Sequence, residues 1–385
     1  MQLFIVKIQN VKNILGLNVC IYVICIWTYL STVECDQSNV RNSHTAGQRS
    51  KFFVSRHPSF LDYKIIKKIG EGTFSEVVKA RSLKDGKYYA CKTMKQPISS
   101  LEQANNLREV QAMKRLNPHP NIIQLHELIF DKESGILSLV CELMEMNVYE
   151  FIRGRQQPLP DSKIRLYMYQ LCKALDHMHS NGIFHRDVKP ENILIKQDVL
   201  KLGDFGSCRS LYSKPPHTEY ISTRWYRAPE CLLTDGFYSH KMDMWSVGCV
   251  FYEIISFSPL FPGTNELDQV TKIHDVLGTP DSSLLQKFKQ SRAMHFDFPP
   301  RKGSGISQLI PNCAAPSLSL LYQMLAYDPE ERIASPFHRE NTTVPHHFTG
   351  GNTTVPHHFT GGNTTVPHHF TGKTLPCLTI SLGKL

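Results

Sequence analysis

The sequence has no C-x-x-C pair, and its 11 cysteines fall at unrelated spacings, which excludes a patterned zinc or dithiol site. Their odd number and scatter point to free thiols in a reducing compartment. Cys141 and Cys249, embedded in apolar stretches, read as core residues. Long basic runs are missing too. The formal charge of +9 is spread along the chain, so nucleic-acid binding is not expected, and the mild excess suits a polyphosphate ligand instead. Apolar residues make up 41% and charged ones 20%, which places the bulk of the chain among ordinary globular proteins. Its 385 residues leave room for a large two-lobed domain plus tails.

One apolar run, Ile14 to Leu30, is broken only by Gly16, Asn18 and Thr28, and its length is marginal for crossing a bilayer. A signal-peptide core, a membrane anchor and a poorly structured extension are the three readings open for it. The extension is favoured, with residues 35–60 as a polar linker, so residues 1–62 carry no expected function and the protein is expected to be cytoplasmic or nuclear. At the other end, residues 336–385 hold an eleven-residue repeat starting at Asn341, Asn352 and Asn363. Its paired histidines can bind metal and each Asn-Thr-Thr is a formal glycosylation acceptor, but Pro and Gly in every unit argue for a disordered tail.

Between these tails the chemistry concentrates in Ile183-Phe184-His185-Arg186-Asp187-Val188-Lys189-Pro190-Glu191-Asn192 and Asp204-Phe205-Gly206. The spacing meets the needs of phosphoryl transfer from ATP to a hydroxyl. Asp187 can take the hydroxyl proton, Lys189 can steady the phosphate, and Asn192 and Asp204 offer oxygen ligands to magnesium. Upstream, Ile69-Gly70-Glu71-Gly72-Thr73-Phe74-Ser75-Glu76-Val77 reads as a strand, a glycine turn and a second strand. Its two glycines let backbone N–H groups approach phosphates, and Ser75 stands where a third glycine is usual. Ala90 and Lys92 lie on a third strand, Lys92 being the candidate grip on the α- and β-phosphates. Ser99 and Ser100 stand before Glu102 and Gln103 at capping-box spacing, and Leu107, Val110 and Met113 continue as the apolar stripe of a helix that carries Glu109 toward Lys92. Glu142-Leu143-Met144 reads as a hinge whose backbone can hydrogen-bond adenine, with Cys141 just before it as gatekeeper.

Thr218-Glu219-Tyr220 lies between Asp204-Phe205-Gly206 and Ala228-Pro229-Glu230, and Thr223-Arg224-Trp225-Tyr226-Arg227 follows it. With the other motifs, these resemble the Ser/Thr protein kinases of the group holding the cyclin-dependent and mitogen-activated kinases, and most nearly their male-germ-cell-associated branch. The resemblance runs from about Tyr63 to Ala334. It implies a bilobal α+β fold, with a small antiparallel β lobe at 63–142 and a larger helical lobe at 145–335 that lacks its usual final helix. ATP and Mg2+ are the implied cofactors. The implied partners are proteins with Ser/Thr-Pro sites, and an upstream kinase or self-phosphorylation as activator. A phosphate on Thr218 is expected to draw in Arg108, Arg186 and Arg209, and one on Tyr220 to engage Arg224 and Arg227. Asp243 is expected to brace the catalytic loop and Arg332 to pair with Glu230. The small Gly203 and Ser207 are expected to loosen Phe205. A catalytically weak scaffold is the alternative function.

Overall fold

The computed structural model describes residues 62–218, 223–288 and 297–335. The apolar run at 14–30, Glu219, Tyr220 and the repeats lie outside them, and no described helix is long and apolar enough to cross a membrane.

Five antiparallel strands form the first lobe: β1 (Tyr63–Glu71), β2 (Ser75–Ser82), β3 (Tyr88–Met94), β4 (Leu125–Phe130) and β5 (Leu137–Glu142), in the order β1-β2-β3-β5-β4. The β2–β3 register places Val77 opposite Lys92, and the β3–β5 register places Ala90 opposite Cys141. Side chains alternate across a strand, so this pairing settles which residues face the cleft. The single helix expected after β3 is in fact two. Ser100 caps a short α1 (Leu101–Asn105) by accepting from the Gln103 amide, and Leu107 in extended conformation starts α2 (Arg108–Leu116). Asn105 and Asn106, poor helix formers that compete for backbone hydrogen bonds, stand at the break. Only α2 carries Glu109, with Val110, Met113 and Leu116 buried beneath it.

The chain then passes β6 (Met146–Asn147) into α3 (Val148–Ile152), where Asn147 and Glu150 form a reciprocal capping box. The long α4 (Asp161–Ser180) buries Ile164, Met168, Leu171, Leu175 and Met178 on one stripe. That stripe delivers the chain to β7 (Ile183–Phe184) and the catalytic loop, and β8 (Ile193–Lys196) and β9 (Val199–Leu202) then return as a hairpin beneath the cleft. After β10 (Arg209–Ser210), paired with β7, come α5 (Pro229–Leu233) and α6 (Lys241–Ser256). Nearly every side chain of α6 from Met242 to Ile254 is buried. Its polar members therefore need internal partners. Helix α7 (Glu266–Leu277) and the shorter α8 (Ser282–Lys287), α9 (Ile306–Leu309) and α10 (Ala315–Met324) complete the large lobe. The seven described cysteines are all free.

Candidate active site

The catalytic loop hangs from one buried carboxylate. Asp243 of α6, fully buried, accepts the His185 N–H at Oδ2 and the Arg186 N–H at Oδ1, both at 2.8 Å, and the His179 ring at 2.9 Å. Burial alone would raise its pKa, but the hydrogen bond and charge of His179, with further support from His185, hold it below the usual value. Suspended in this way, the loop places Asp187 with 7% of its surface exposed. Its Oδ2 accepts from Asn192 Nδ2 and pairs with Lys189 Nζ, each at 3.0 Å. Asn192 also donates to the Asp187 carbonyl at 2.8 Å. Oδ1 of Asp187 is buried and has no partner among the described residues. One oxygen is thus clamped and the other is free to accept a proton.

Across the cleft, Lys92 Nζ lies 2.6 Å from Glu109 Oε1 and 2.9 Å from Asp204 Oδ1. Burial by itself would lower the Lys92 pKa, but the two carboxylates outweigh it and hold the ammonium charged. Against the same desolvation, Lys92 keeps Asp204 below its ordinary value. Asp204 adopts a left-handed backbone with φ 59°, and this turns the chain so that Phe205 goes inward. Phe205 is fully buried, edge-on to His185 at 5.7 Å. The expected loosening of Phe205 is therefore not seen. A Cβ on Gly203 would stand 3.2 Å from Ile123, and Ser207 supplies a carbonyl to Arg186, so both small residues are used in packing.

Asn192 spends its amide N–H on Asp187, leaving its amide oxygen available, and Asp204 gives one carboxylate oxygen to Lys92 and keeps the other. Two hard oxygens suit magnesium but are too few to hold it alone. No group of three or more His, Cys, Asp or Glu among the described residues could do so either. The pair fits a metal whose other ligands come from phosphate and water.

The residues expected around the nucleotide contribute unequally. Gly72 donates to the Ser75 carbonyl at 2.8 Å, closing the turn, while Ile69 and Phe74 are 44% and 71% exposed. Gly70, Glu76 and Val77 lie in the paired strands on either side of Thr73. The Glu71 carboxylate is bound to Lys68 and Lys95, so it has only backbone to offer a phosphate. Glu142 likewise turns its carboxylate away, to Lys201 Nζ and the Gln124 N–H, and donates its own N–H to the Gln124 carbonyl. Its carbonyl and the half-buried Met144 remain at the hinge.

In the activation segment the arginines, described without phosphate, occupy separate surroundings. Arg186, 3% exposed, already donates to the Ser207 carbonyl at 2.6 Å and to the Tyr238 hydroxyl at 3.1 Å. Arg209 sits opposite Phe184 in the β10–β7 pair, and Arg108 is the exposed first residue of α2. Thr218 is exposed at the edge of the described segment. Arg224 Nη1 donates to the Thr264 carbonyl and Arg227 Nη1 to Glu266, so both reach toward α7. Trp225 Nε1 joins them through the Gly263 carbonyl at 3.0 Å. Glu230 takes a bidentate pair from Arg332, at 2.6 and 2.9 Å, with both side chains essentially buried.

Sequence reasoning missed three residues. Tyr238 and His217 belong to no motif, and nothing short of the fold places them beside Arg186. Glu253 could have been found as the second acid of α6, after Asp243, set in an otherwise apolar run. It is buried and accepts from the Tyr226 hydroxyl at 2.8 Å, and burial pushes its pKa up to about 7.

A β lobe joined by a hinge to a helical lobe, with a clamped Asp187 and a Lys92–Glu109–Asp204 triad between them, defines a protein kinase domain. The chain belongs to that family, whose model, described as the protein kinase domain, matches residues 63–343. It is similar to the MAPK/MAK/MRK overlapping kinase of Homo sapiens, 73% identical over 274 residues, which cover 71% of this chain and 65% of the human protein. The overlapping kinase of Mus musculus matches at the same identity and coverage. The serine/threonine-protein kinase ICK of Rattus norvegicus is 42% identical over 272 residues, 70% of this chain and 43% of that one. The chain thus spans less than two thirds of the length of the curated relatives it matches. Family membership implies use of ATP with a divalent metal.

Proposed function

We propose that this protein is an ATP-dependent, proline-directed protein serine/threonine kinase whose turnover is raised by phosphorylation of Thr218 and Tyr220. The observation that carries the reading is the asymmetry of Asp187. Its Oδ2 is held by Asn192 and Lys189, while Oδ1 is buried and unpartnered. That oxygen accepts the proton of a substrate serine or threonine hydroxyl as the hydroxyl oxygen attacks the γ-phosphorus of ATP, the bond to the β–γ bridging oxygen breaks and ADP leaves. Lys189 stands beside it to hold charge on the transferred group, and Lys92, kept charged by Glu109 and Asp204, orients the α- and β-phosphates. Asn192 and Asp204 would hold magnesium, which would supply neutralisation of phosphate charge when bound. The backbone of the Gly70–Val77 hairpin covers the phosphates, and the hinge around Glu142 and Met144 receives adenine.

Preference for proline after the acceptor is supported by the loop from Thr223 to Arg227, anchored to the α7 region through Arg224, Trp225 and Arg227. Proline lacks an N–H, so Arg227, as a cap on the backbone beside the position after the acceptor, favours it. An upstream kinase or the protein itself would supply the phosphates on the activation segment. We place the activity in the cytoplasm or nucleus and expect no nucleic-acid partner. The deciding experiment measures transfer to Ser-Pro and Ser-Ala peptides by wild type and Asp187→Asn, with nucleotide binding measured in parallel. The expected result is a fall of about 10²–10⁴ in kcat with ATP affinity retained. Equal turnover by the two proteins would refute the assignment. Equal use of both peptides would remove proline direction alone, and the absence of turnover in wild type would leave a nucleotide-binding scaffold. Comparing Thr218→Ala and Tyr220→Phe with wild type at known phosphate occupancy tests the regulatory part.

A further inference from the structure

Arg186 is a buried cation without a carboxylate partner among the described residues: 3% of its surface is exposed and its ligands are neutral. A guanidinium so placed is costly unless oxygens replace its water. Two do. The Ser207 carbonyl takes Nε at 2.6 Å, and the Tyr238 hydroxyl takes Nη1 at 3.1 Å. The Phe184 ring lies 5.9 Å from the guanidinium carbon. The Tyr238 hydroxyl accepts from Arg186, and its own proton goes on to the Thr218 carbonyl at 2.6 Å. Burial pushes the Tyr238 phenol up to about 12, so that proton is present throughout the physiological range. Catalytic loop, α5–α6 connection and activation segment are joined through one hydroxyl.

A second contact lies next to it. His217 is 7% exposed, and its ring sits 5.7 Å from Phe184 and 5.1 Å from Tyr238. Its backbone N–H donates to the Gly236 carbonyl at 2.8 Å. Gly236 has φ +84°, and a Cβ there would fall 2.1 Å from the His217 carbonyl oxygen. The close approach therefore requires glycine. The His217 Nδ1 is buried and unpartnered among the described residues, so the ring is retained by packing rather than by a polar bond.

We propose that Tyr238 and His217 are positioning residues that hold the activation segment against the catalytic loop without phosphate, the Tyr238 hydroxyl relaying between Arg186 and the Thr218 carbonyl. The inference deepens the kinase reading and rests on it: the unphosphorylated protein keeps Arg186 oriented and retains basal turnover. A phosphate at Thr218 would then add to an arrangement already in place.

The test uses the full chain, dephosphorylated and Thr218-phosphorylated, as wild type, Tyr238→Phe and His217→Leu. Tyr238→Phe removes only the relay oxygen. In the dephosphorylated form it should lower kcat about 5–30-fold with KM for ATP unchanged, and speed amide exchange across residues 209–218. Thr218 phosphate should restore most of that loss, because it gives Arg186 a charged partner of its own. His217→Leu keeps the volume of the slot but removes the aromatic contacts, and should speed the same exchange with a smaller loss of kcat. Wild-type exchange and turnover in dephosphorylated Tyr238→Phe would overturn the proposal. An equal loss with and without phosphate would also overturn it, by making the hydroxyl a plain folding contact. Should the Asp187→Asn comparison refute kinase activity, the exchange measurement still decides whether the latch exists.

Discussion

The two lobes each bury a glutamate beside a cation, and they do so differently. In the large lobe Glu230 and Arg332 meet through two parallel hydrogen bonds, with side chains 2% and 0% exposed. Arg332 also donates to the carbonyls of Ala326, Lys241 and Tyr327. The guanidinium N–H donors and both carboxylate oxygens are thus all engaged. In the small lobe Lys92 meets Glu109 through one oxygen and shares itself with Asp204, and its side chain is 21% exposed at the cleft. The three partners sit on three separate elements, β3, α2 and the Asp204 turn. Fork geometry makes the first pair a fastener. The second, a point charge between two acids, can be shared with phosphate, and is suited to an element that must engage and release.

That contrast orders the expected effects of mutation. Arg332→Ala should cost the most stability, about 3–5 kcal/mol, because it strands a buried carboxylate. Chemical denaturation would measure it, and a loss below 1 kcal/mol would mean that Glu230 finds another partner. Lys92→Met should lower kcat/KM about 10²–10³-fold, the size expected for loss of one preorganised charged donor. It should cost less stability than Arg332→Ala, because burial already raises the pKa of Glu109 and the carboxyl left behind can take up a proton. An equal loss of stability would place Lys92 with the fasteners.

Glu253 sharpens the comparison because it is buried with a hydroxyl instead of a cation. Burial raises its folded-state pKa from the ordinary 4.5 of a glutamate to about 7. The native state therefore binds more protons than the unfolded one between those values, and stability falls as pH rises through that window. Glu253→Gln should flatten this part of the profile and leave the variant more stable above neutrality, by on the order of 1–3 kcal/mol. Thermal unfolding at closely spaced pH values would show it. An unchanged slope would mean that another group dominates. At the small end, Lys84 and Asp62 form a pair whose side chains are 66% and 53% exposed. Lys84→Ala should leave the melting temperature unaltered, because solvent already screens both charges.

Much of this site was legible without coordinates. Asp187, Lys189 and Asn192 lie within six consecutive positions, so their proximity follows from chain connectivity. The stripe of α4 was visible as period, since residues three and four apart share a face. The break between α1 and α2 was not read, because capping spacing and an apolar stripe on either side resemble one continuous helix. The direction of the Glu71 and Glu142 carboxylates was equally hidden, since their lysine partners come from other strands.

By itself, then, the sequence determined the identities of the reactive groups, through short-range spacing that no packing can alter, and it pointed to the bilobal α+β plan only through the resemblance those motifs carry. Tertiary structure decided which oxygen of Asp187 is free. It also decided that Arg186 is met by Tyr238, and that Arg227 reaches Glu266 in α7. Those outcomes depend on side chains brought together from separate elements, and on which polar atoms are left unpaired once burial has removed water. Both are properties of the packed interior, and no local stretch of the chain contains them.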